Sequence, residues 1–74
     1  MWIFTKYGYL SIVEHNQIND YFQIRSREIK PLKKYWPEYD IDIIEWADYR
    51  FRINIKKDIA IKKLIKIIKD INYD

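Results

Sequence analysis

The chain has 74 residues, a net charge of +3 and no cysteine, which excludes disulfides, thiolate metal sites and cysteine nucleophiles. Apolar residues make up 49% of the chain and aromatic residues 18%, so a small folded core is expected rather than disorder. No apolar run approaches the roughly 18 residues of a membrane span, and the N-terminus does not resemble a signal peptide; we therefore predict one soluble, cytoplasmic domain covering residues 1–74.

The first part of the chain is predicted to form β structure. In residues 2–15, Trp2 and Phe4 alternate with Ile3 and Thr5, and we interpret Gly8 as a bend or loose turn, since the residues there make a poor tight-turn pair. A polar turn follows at residues 16–20. The strand predicted from Tyr21 to Arg27 therefore runs antiparallel to the strand before it.

A short helix is predicted within Glu28–Trp36. It begins near residue 30, because Pro31 is tolerated only in a first turn, and Pro37 ends it. The acidic segment that follows is ambiguous, with an extra edge strand near residues 41–45 as one interpretation. Alternation resumes at Asp48–Ile55, which is predicted to be a strand.

The last helix is predicted from Lys57 to about Asn72. Apolar residues recur there at helical spacing, and the predicted stripe that packs on the sheet is Ile61, Leu64, Ile65, Ile68 and Ile71. Lysines occupy most of the opposite side. Ile59 and Ile67 widen the apolar face, which indicates burial against more than one element or against a partner chain.

Together these elements predict an α+β fold. The expected architecture is a small two-layer sandwich in the order ββαβα, with an antiparallel or mixed sheet and two helices on one face. The apolar face of the sheet then meets the helices, and its polar face is left open.

Two of the predicted strands each carry a pair of arginines on their polar phase. Because side chains alternate between the two faces of a strand, Arg25 shares a face with Arg27, and Arg50 shares one with Arg52. If the strands are neighbours, four guanidinium groups lie on the open face, where arginine can form bidentate contacts with anions and tyrosine can stack. The candidate partner-binding residues are Arg25, Arg27, Arg50, Arg52, Tyr9, Tyr21 and Gln23.

Two interpretations of these arginines stay open. They are either ordinary surface residues paired with Asp48, Glu28 or Asp20, each pair contributing about 0–1 kcal/mol, or a binding surface for an acidic macromolecule. Paired aromatics within a Gly-rich strand are missing, so sequence-specific RNA recognition is not supported. The acids at residues 38–48 would also repel a long nucleic-acid backbone unless they face away from it.

No catalytic or metal-binding constellation is predicted. His15 is the single histidine; Glu14 points to the other face of its strand, and Ser11 lies roughly 13 Å away along it. The carboxylates at residues 40–45 lack the further oxygen ligands that a hard cation needs, and a chain with one glycine offers no phosphate loop. We therefore expect a protein that is not an enzyme and has no catalytic residue, metal or cofactor.

Several segments resemble a family of short, uncharacterised bacterial proteins. Residues 1–13 have a Met-Trp-aromatic opening followed by a Ser-Ile-Val strand, and residues 47–52 have an Ala-Asp-Tyr-Arg-aromatic-Arg strand. Residues 24–27 and the ending at residues 70–73 are also similar to that family. The resemblance implies no activity, cofactor or catalytic residue.

The sequence favours a non-enzymatic binding module that presents the arginine-rich sheet face to an acidic macromolecular partner. Its size and composition suit a small phage or mobile-element inhibitor of anti-CRISPR type. One alternative is a nucleic-acid-binding protein that uses the same face. Another is a structural homo-oligomer, a two-fold dimer built from the edge near residues 41–45, the surplus isoleucines of the last helix and the opposed charges of residues 38–48 and 56–69. No membrane partner is expected.

Overall fold

A computed structural model describes residues 1–71, which form an α+β fold of five strands and two helices. The strands are β1 (Trp2–Thr5), β2 (Gly8–Glu14), β3 (Tyr21–Ser26), β4 (Asp42–Ile43) and β5 (Phe51–Lys56). The helices are α1 (Lys30–Tyr35) and α2 (Lys57–Ile67), and a 3₁₀ turn over Ile68–Asp70 follows α2. The predicted α+β class is confirmed, as are the start of the first helix near residue 30 and an extra strand within residues 41–45.

The predicted order ββαβα is wrong, because the first β segment is two strands and the order is βββαββα. β1 and β2 form a hairpin in which Thr5 lies opposite Gly8, so the loop contains only two residues. Gly8 adopts a φ of 140°, which L-residues rarely adopt. The Thr5 hydroxyl donates to the Gly8 carbonyl (2.8 Å) and accepts from the backbone N–H of Tyr7 (3.1 Å). These features make a tight turn where a bend or loose turn was expected.

All five strands join one antiparallel sheet in the order β1-β2-β3-β5-β4. β3 and β5 are therefore neighbours, paired from Tyr21 opposite Lys56 to Ser26 opposite Phe51. β4 forms one edge of the sheet and is only two residues long. Such a short edge, with acidic neighbours, discourages uncontrolled pairing with other strands.

The core lies on one side of this sheet. Alternate strand residues from β2, β3 and β5 share a single cluster of buried side chains with α1 and α2. Its fully buried members are Leu10, Ile24, Leu32, Trp36, Ile53, Ile55, Ala60 and Ile67. An apolar cluster of this size is what allows so short a chain to offset the entropy lost on folding.

The prediction of which side of α2 packs on the sheet is wrong. Ala60 and Ile67 are buried and Leu64 is partly buried, whereas Ile61 and Ile65 are at least half exposed. The small Ala60 lies on the buried side of the helix, and the larger Ile61 and Ile65 lie on the exposed side. The α-helix predicted to end near Asn72 is shorter than expected: α2 ends at Ile67 and a 3₁₀ turn over Ile68–Asp70 follows, while residue 72 itself lies outside the described residues.

Asp70 ties the end of the chain's helical region to the rest of the fold. Its carboxylate accepts a hydrogen bond from the Tyr35 hydroxyl (2.8 Å) and forms an ion pair with Lys6 (3.2 Å). Its backbone carbonyl accepts from the backbone N–H of Lys6 (3.0 Å), and Ile71 bridges to Thr5 on β1. Burial, followed by the hydrogen bond to Asp70, raises the pKa of Tyr35 to about 12. The same hydrogen bond is the main cause that lowers the pKa of Asp70.

Candidate functional site

Arg25 on β3 and Arg52 on β5 are direct cross-strand partners. Their sequence neighbours Ile24 and Ile53 are buried in the core, so the two arginines point to the other side of the sheet. We call this side the arginine face. Arg27 and Arg50 lie just beyond the paired ends of the two strands, and both are exposed. The arginines were expected to come together only if their strands were neighbours, and β3 and β5 are neighbours.

Tyr49 organises the two guanidinium groups on β3 and β5. Its ring lies under the Arg25 guanidinium at 4.8 Å and under that of Arg27 at 5.3 Å. Its backbone carbonyl accepts a hydrogen bond from Arg52 Nη2 at 2.9 Å. Like charges placed opposite each other in a sheet repel, and the electron-rich ring and the carbonyl offset part of that repulsion.

Among the described residues, the four arginines lack ion pairs with acidic side chains, although Asp42 lies opposite Arg52 across the strands. In this part of the chain, the pairs expected with Asp48, Glu28 or Asp20 are not formed. Arg25 donates instead to the Ser11 hydroxyl (2.9 Å), a neutral acceptor. Within residues 1–71, the buried Nε of Arg25 and that of Arg52 have no hydrogen-bond partner. Guanidinium groups that lack ion pairs favour the approach of anions.

The remaining predicted residues divide into two groups. Gln23 belongs to the cluster, since it donates to Asn54 (3.3 Å) and accepts a long hydrogen bond from Arg52 (3.5 Å). Tyr9 lies on the arginine face next to β1, with its ring edge-to-face with Phe4 at 5.8 Å. Tyr21 lies opposite Lys56 at the far end of the face, roughly 13 Å along the strand from Arg25. The structure therefore does not bring Tyr21 to the arginines.

Sequence reasoning missed three aromatic residues of the arginine face. Trp2 and Phe4 project from β1 on this side and are 64% and 44% exposed. Trp2 lies opposite Ser11, which lies opposite Arg25, so the indole and the guanidinium belong to one row across the sheet. Trp2 and Phe4 occupy even-numbered positions of β1. The sequence indicates which face of the sheet they share only once β1 and β2 are recognised as a hairpin. Tyr49 precedes β5, where period-two alternation no longer applies.

His15, the single histidine, has a structural role. His15 Nδ1 accepts hydrogen bonds from the backbone N–H groups of Gln17 and Ile18, both at 3.1 Å, and so stabilises the turn after β2. No group of three or more potential metal ligands occurs among the residues described. Over the same part of the chain, neither helix has the length and apolar character needed to cross a bilayer.

Comparison with known proteins was made at the levels of family, sequence and fold. No family model, curated protein or solved structure matches the chain. The resemblance to short bacterial proteins stays a prediction. The functional argument therefore depends on the geometry of the arginine face.

Proposed function

We propose that the protein is a non-enzymatic binding module that presents the arginine face to an acidic macromolecular partner, with both helices covering the opposite face of the sheet. One observation carries the proposal: Arg25 and Arg52 lie side by side and, among residues 1–71, neither forms an ion pair with a carboxylate. Aspartate or glutamate side chains of a partner would supply the missing counter-charges through charge-assisted hydrogen bonds.

The surroundings of the pair favour a protein surface as this partner. Exposed Arg27 and Arg50 extend the positive charge, while exposed Trp2 supplies apolar area in the same face. Tryptophan, tyrosine and arginine are the residues that most often dominate the binding energy of protein interfaces. The acidic edge next to Arg52, where Asp42 is its cross-strand partner, limits how far an anionic chain can extend in that direction. An inhibitor of anti-CRISPR type is one role for such a module, supported by the size and composition of the chain alone.

The test compares variants that lose the same charge from different surfaces. Arg27→Gln with Arg50→Gln removes two exposed cations just beyond the paired ends of β3 and β5, and Lys30→Gln with Lys33→Gln removes two from α1. Tagged protein is used to capture partners from nuclease-treated host extract, and each captured protein is quantified. We expect at least a tenfold loss for the arginine variant and retention by the lysine variant. Equal capture by both variants would rule the arginine face out.

Nucleic acid is the second candidate, and a specific observation favours it. The exposed rings of Trp2 and Phe4 accompany the guanidinium groups on a sheet face, and aromatic rings stack on unpaired bases. This candidate predicts binding of a single-stranded oligothymidine with an affinity that falls steeply as salt is raised. Anisotropy titrations at two salt concentrations measure it. Absence of binding at low salt removes this candidate.

A further inference from the structure

α2 and the 3₁₀ turn after it carry an apolar stripe that is exposed in the part of the chain that the structure describes. Ile61, Ile65 and Ile68 are spaced at i, i+4 and i+7, and each is at least half exposed. Exposed lysines at positions 62, 66 and 69 lie alongside them. We call these six residues the α2 stripe. It combines apolar area with positive charge, which is the requirement for binding an apolar group surrounded by acids.

The connection between β4 and β5 has the complementary chemistry. Trp46 is 90% exposed and Ile43 is 58% exposed, although both are large apolar side chains. Hydrogen bonds from Ile44 N–H to the Arg50 carbonyl (2.8 Å) and from Ala47 N–H to the Ile44 carbonyl (3.2 Å) fold this segment as a turn. Its other exposed side chains include the carboxylates of Glu45 and Asp48. We call Ile43, Glu45, Trp46 and Asp48 the acidic hairpin.

The two surfaces lie at opposite ends of the sheet. β4, which begins the acidic hairpin, is one edge strand. The chain leaving α2 reaches the other edge, where Ile71 bridges to Thr5 of β1. The acidic hairpin of one molecule therefore does not cover its own α2 stripe, as the exposure of Trp46 and Ile65 shows.

We propose that the occupant of the α2 stripe is the acidic hairpin of a second copy of this chain, in a head-to-tail contact. Trp46 and Ile43 of one copy pack on Ile61, Ile65 and Ile68 of the next, and the hairpin carboxylates approach the stripe lysines. Each surface supplies both the apolar area and the charge sign that the other requires. A symmetric contact between two α2 stripes would instead bring lysines together, and like charges across an interface oppose binding.

A head-to-tail contact leaves one free hairpin and one free stripe at the ends of every assembly. Copies therefore add beyond the dimer unless a ring closes, unlike a two-fold contact, which stops at two. The interface involves one helix and one turn, so it is small and reversible, and its population depends on protein concentration. It uses neither Arg25 nor Arg52, and its outcome is independent of the function proposed for the arginine face.

Sedimentation velocity over a wide concentration range tests the contact. We expect the average mass of the wild type to rise past that of a dimer with concentration. Trp46→Ala on the hairpin or Ile65→Asp on the stripe should each weaken assembly at least tenfold. Ile18→Asp is the matched control, because Ile18 is also an exposed isoleucine but lies in the turn after β2. It should assemble like the wild type.

Mixing the two defective variants gives the sharpest result. The Trp46→Ala copy keeps an intact stripe and the Ile65→Asp copy keeps an intact hairpin, so the mixture should form a 1:1 dimer and nothing larger. Circular dichroism of each variant establishes that it is folded. A wild type that stays monomeric, a wild type that stops at a dimer, or a mixture that stays monomeric would each overturn the head-to-tail contact.

Discussion

Arg25 and Arg52 lie opposite each other on neighbouring strands, and Tyr49 contacts both, one through its ring and the other through its backbone carbonyl. The structure thus holds two like charges together with neutral groups. In an isolated domain this arrangement opposes folding, because the charges repel. It becomes favourable when an anion binds, and this difference between free and bound states is what a binding site needs.

The ring of Tyr49 should matter more than its hydroxyl. Tyr49→Ala removes the surface under Arg25 and Arg27, and we expect the free energy of unfolding to fall by about 1 kcal/mol. Tyr49→Phe keeps the ring and should be close to wild type. Urea denaturation of both variants measures the difference. If the two variants lose equal stability, the ring does not offset the repulsion between the arginines.

Tyr35 should stabilise the fold through Asp70. Tyr35→Phe keeps the aromatic packing but removes the hydrogen bond to the carboxylate, and we expect a loss of about 1 kcal/mol. Tyr21→Phe is a matched control on the opposite side of the sheet. Thermal unfolding of the two variants at neutral pH should show a lower midpoint for Tyr35→Phe only.

The same contact predicts how stability changes with pH. The pKa of Tyr35 is raised from 10.0 to about 12, so the folded protein keeps this proton in a range where the unfolded chain releases it. Stability should therefore fall as pH rises from 10 to 12, and Tyr35→Phe should reduce that slope. The lowered pKa of Asp70 affects stability in acid: the contribution of this carboxylate is present above its ordinary pKa of 3.8 and is lost as pH falls below that value. Asp70→Asn should flatten this acid limb in urea titrations.

Gly8 should be the most sensitive position of the β1–β2 hairpin. Its φ of 140° is strained for any L-residue, and a Cβ there would lie 3.1 Å from Pro31 Cγ. We expect Gly8→Ala to cost about 1–3 kcal/mol. Combining it with Pro31→Ala relieves the contact but not the backbone strain. The stability of the double variant is compared with that of Pro31→Ala alone. If Gly8→Ala still lowers stability there, but by less than in the wild type, backbone strain and the Pro31 contact both contribute. If it no longer lowers stability, the role of φ is contradicted.

The sequence predicted the parts of the fold that depend on local pattern. Period-two alternation placed Arg25 and Arg52 on the face opposite the core, because strand side chains alternate whatever the strand order is. The start of α1 followed from the fixed φ of Pro31. These features need no information about distant contacts.

Other features depend on contacts that a pattern does not contain. The hairpin at Gly8 requires a positive φ and the close approach of Pro31, and without it Trp2 could not be placed on the arginine face. In α2 the isoleucines surround more than one side of the helix, so hydrophobicity did not decide which side packs on the sheet. The side that packs on the sheet carries the buried Ala60, which the hydrophobic pattern did not single out.

Site-specific crosslinking tests the central claim most directly. A photoreactive residue is placed at Asn54, on the arginine face beside Gln23, or at Lys33, an exposed control position on α1. Each protein is irradiated in host extract after nuclease treatment, and the adducts are identified by mass spectrometry. The account predicts a discrete protein adduct from position 54 that is lost when Arg27 and Arg50 are changed to glutamine, and none from position 33. Adducts from position 33 alone, or an adduct at position 54 that persists without these arginines, would contradict it.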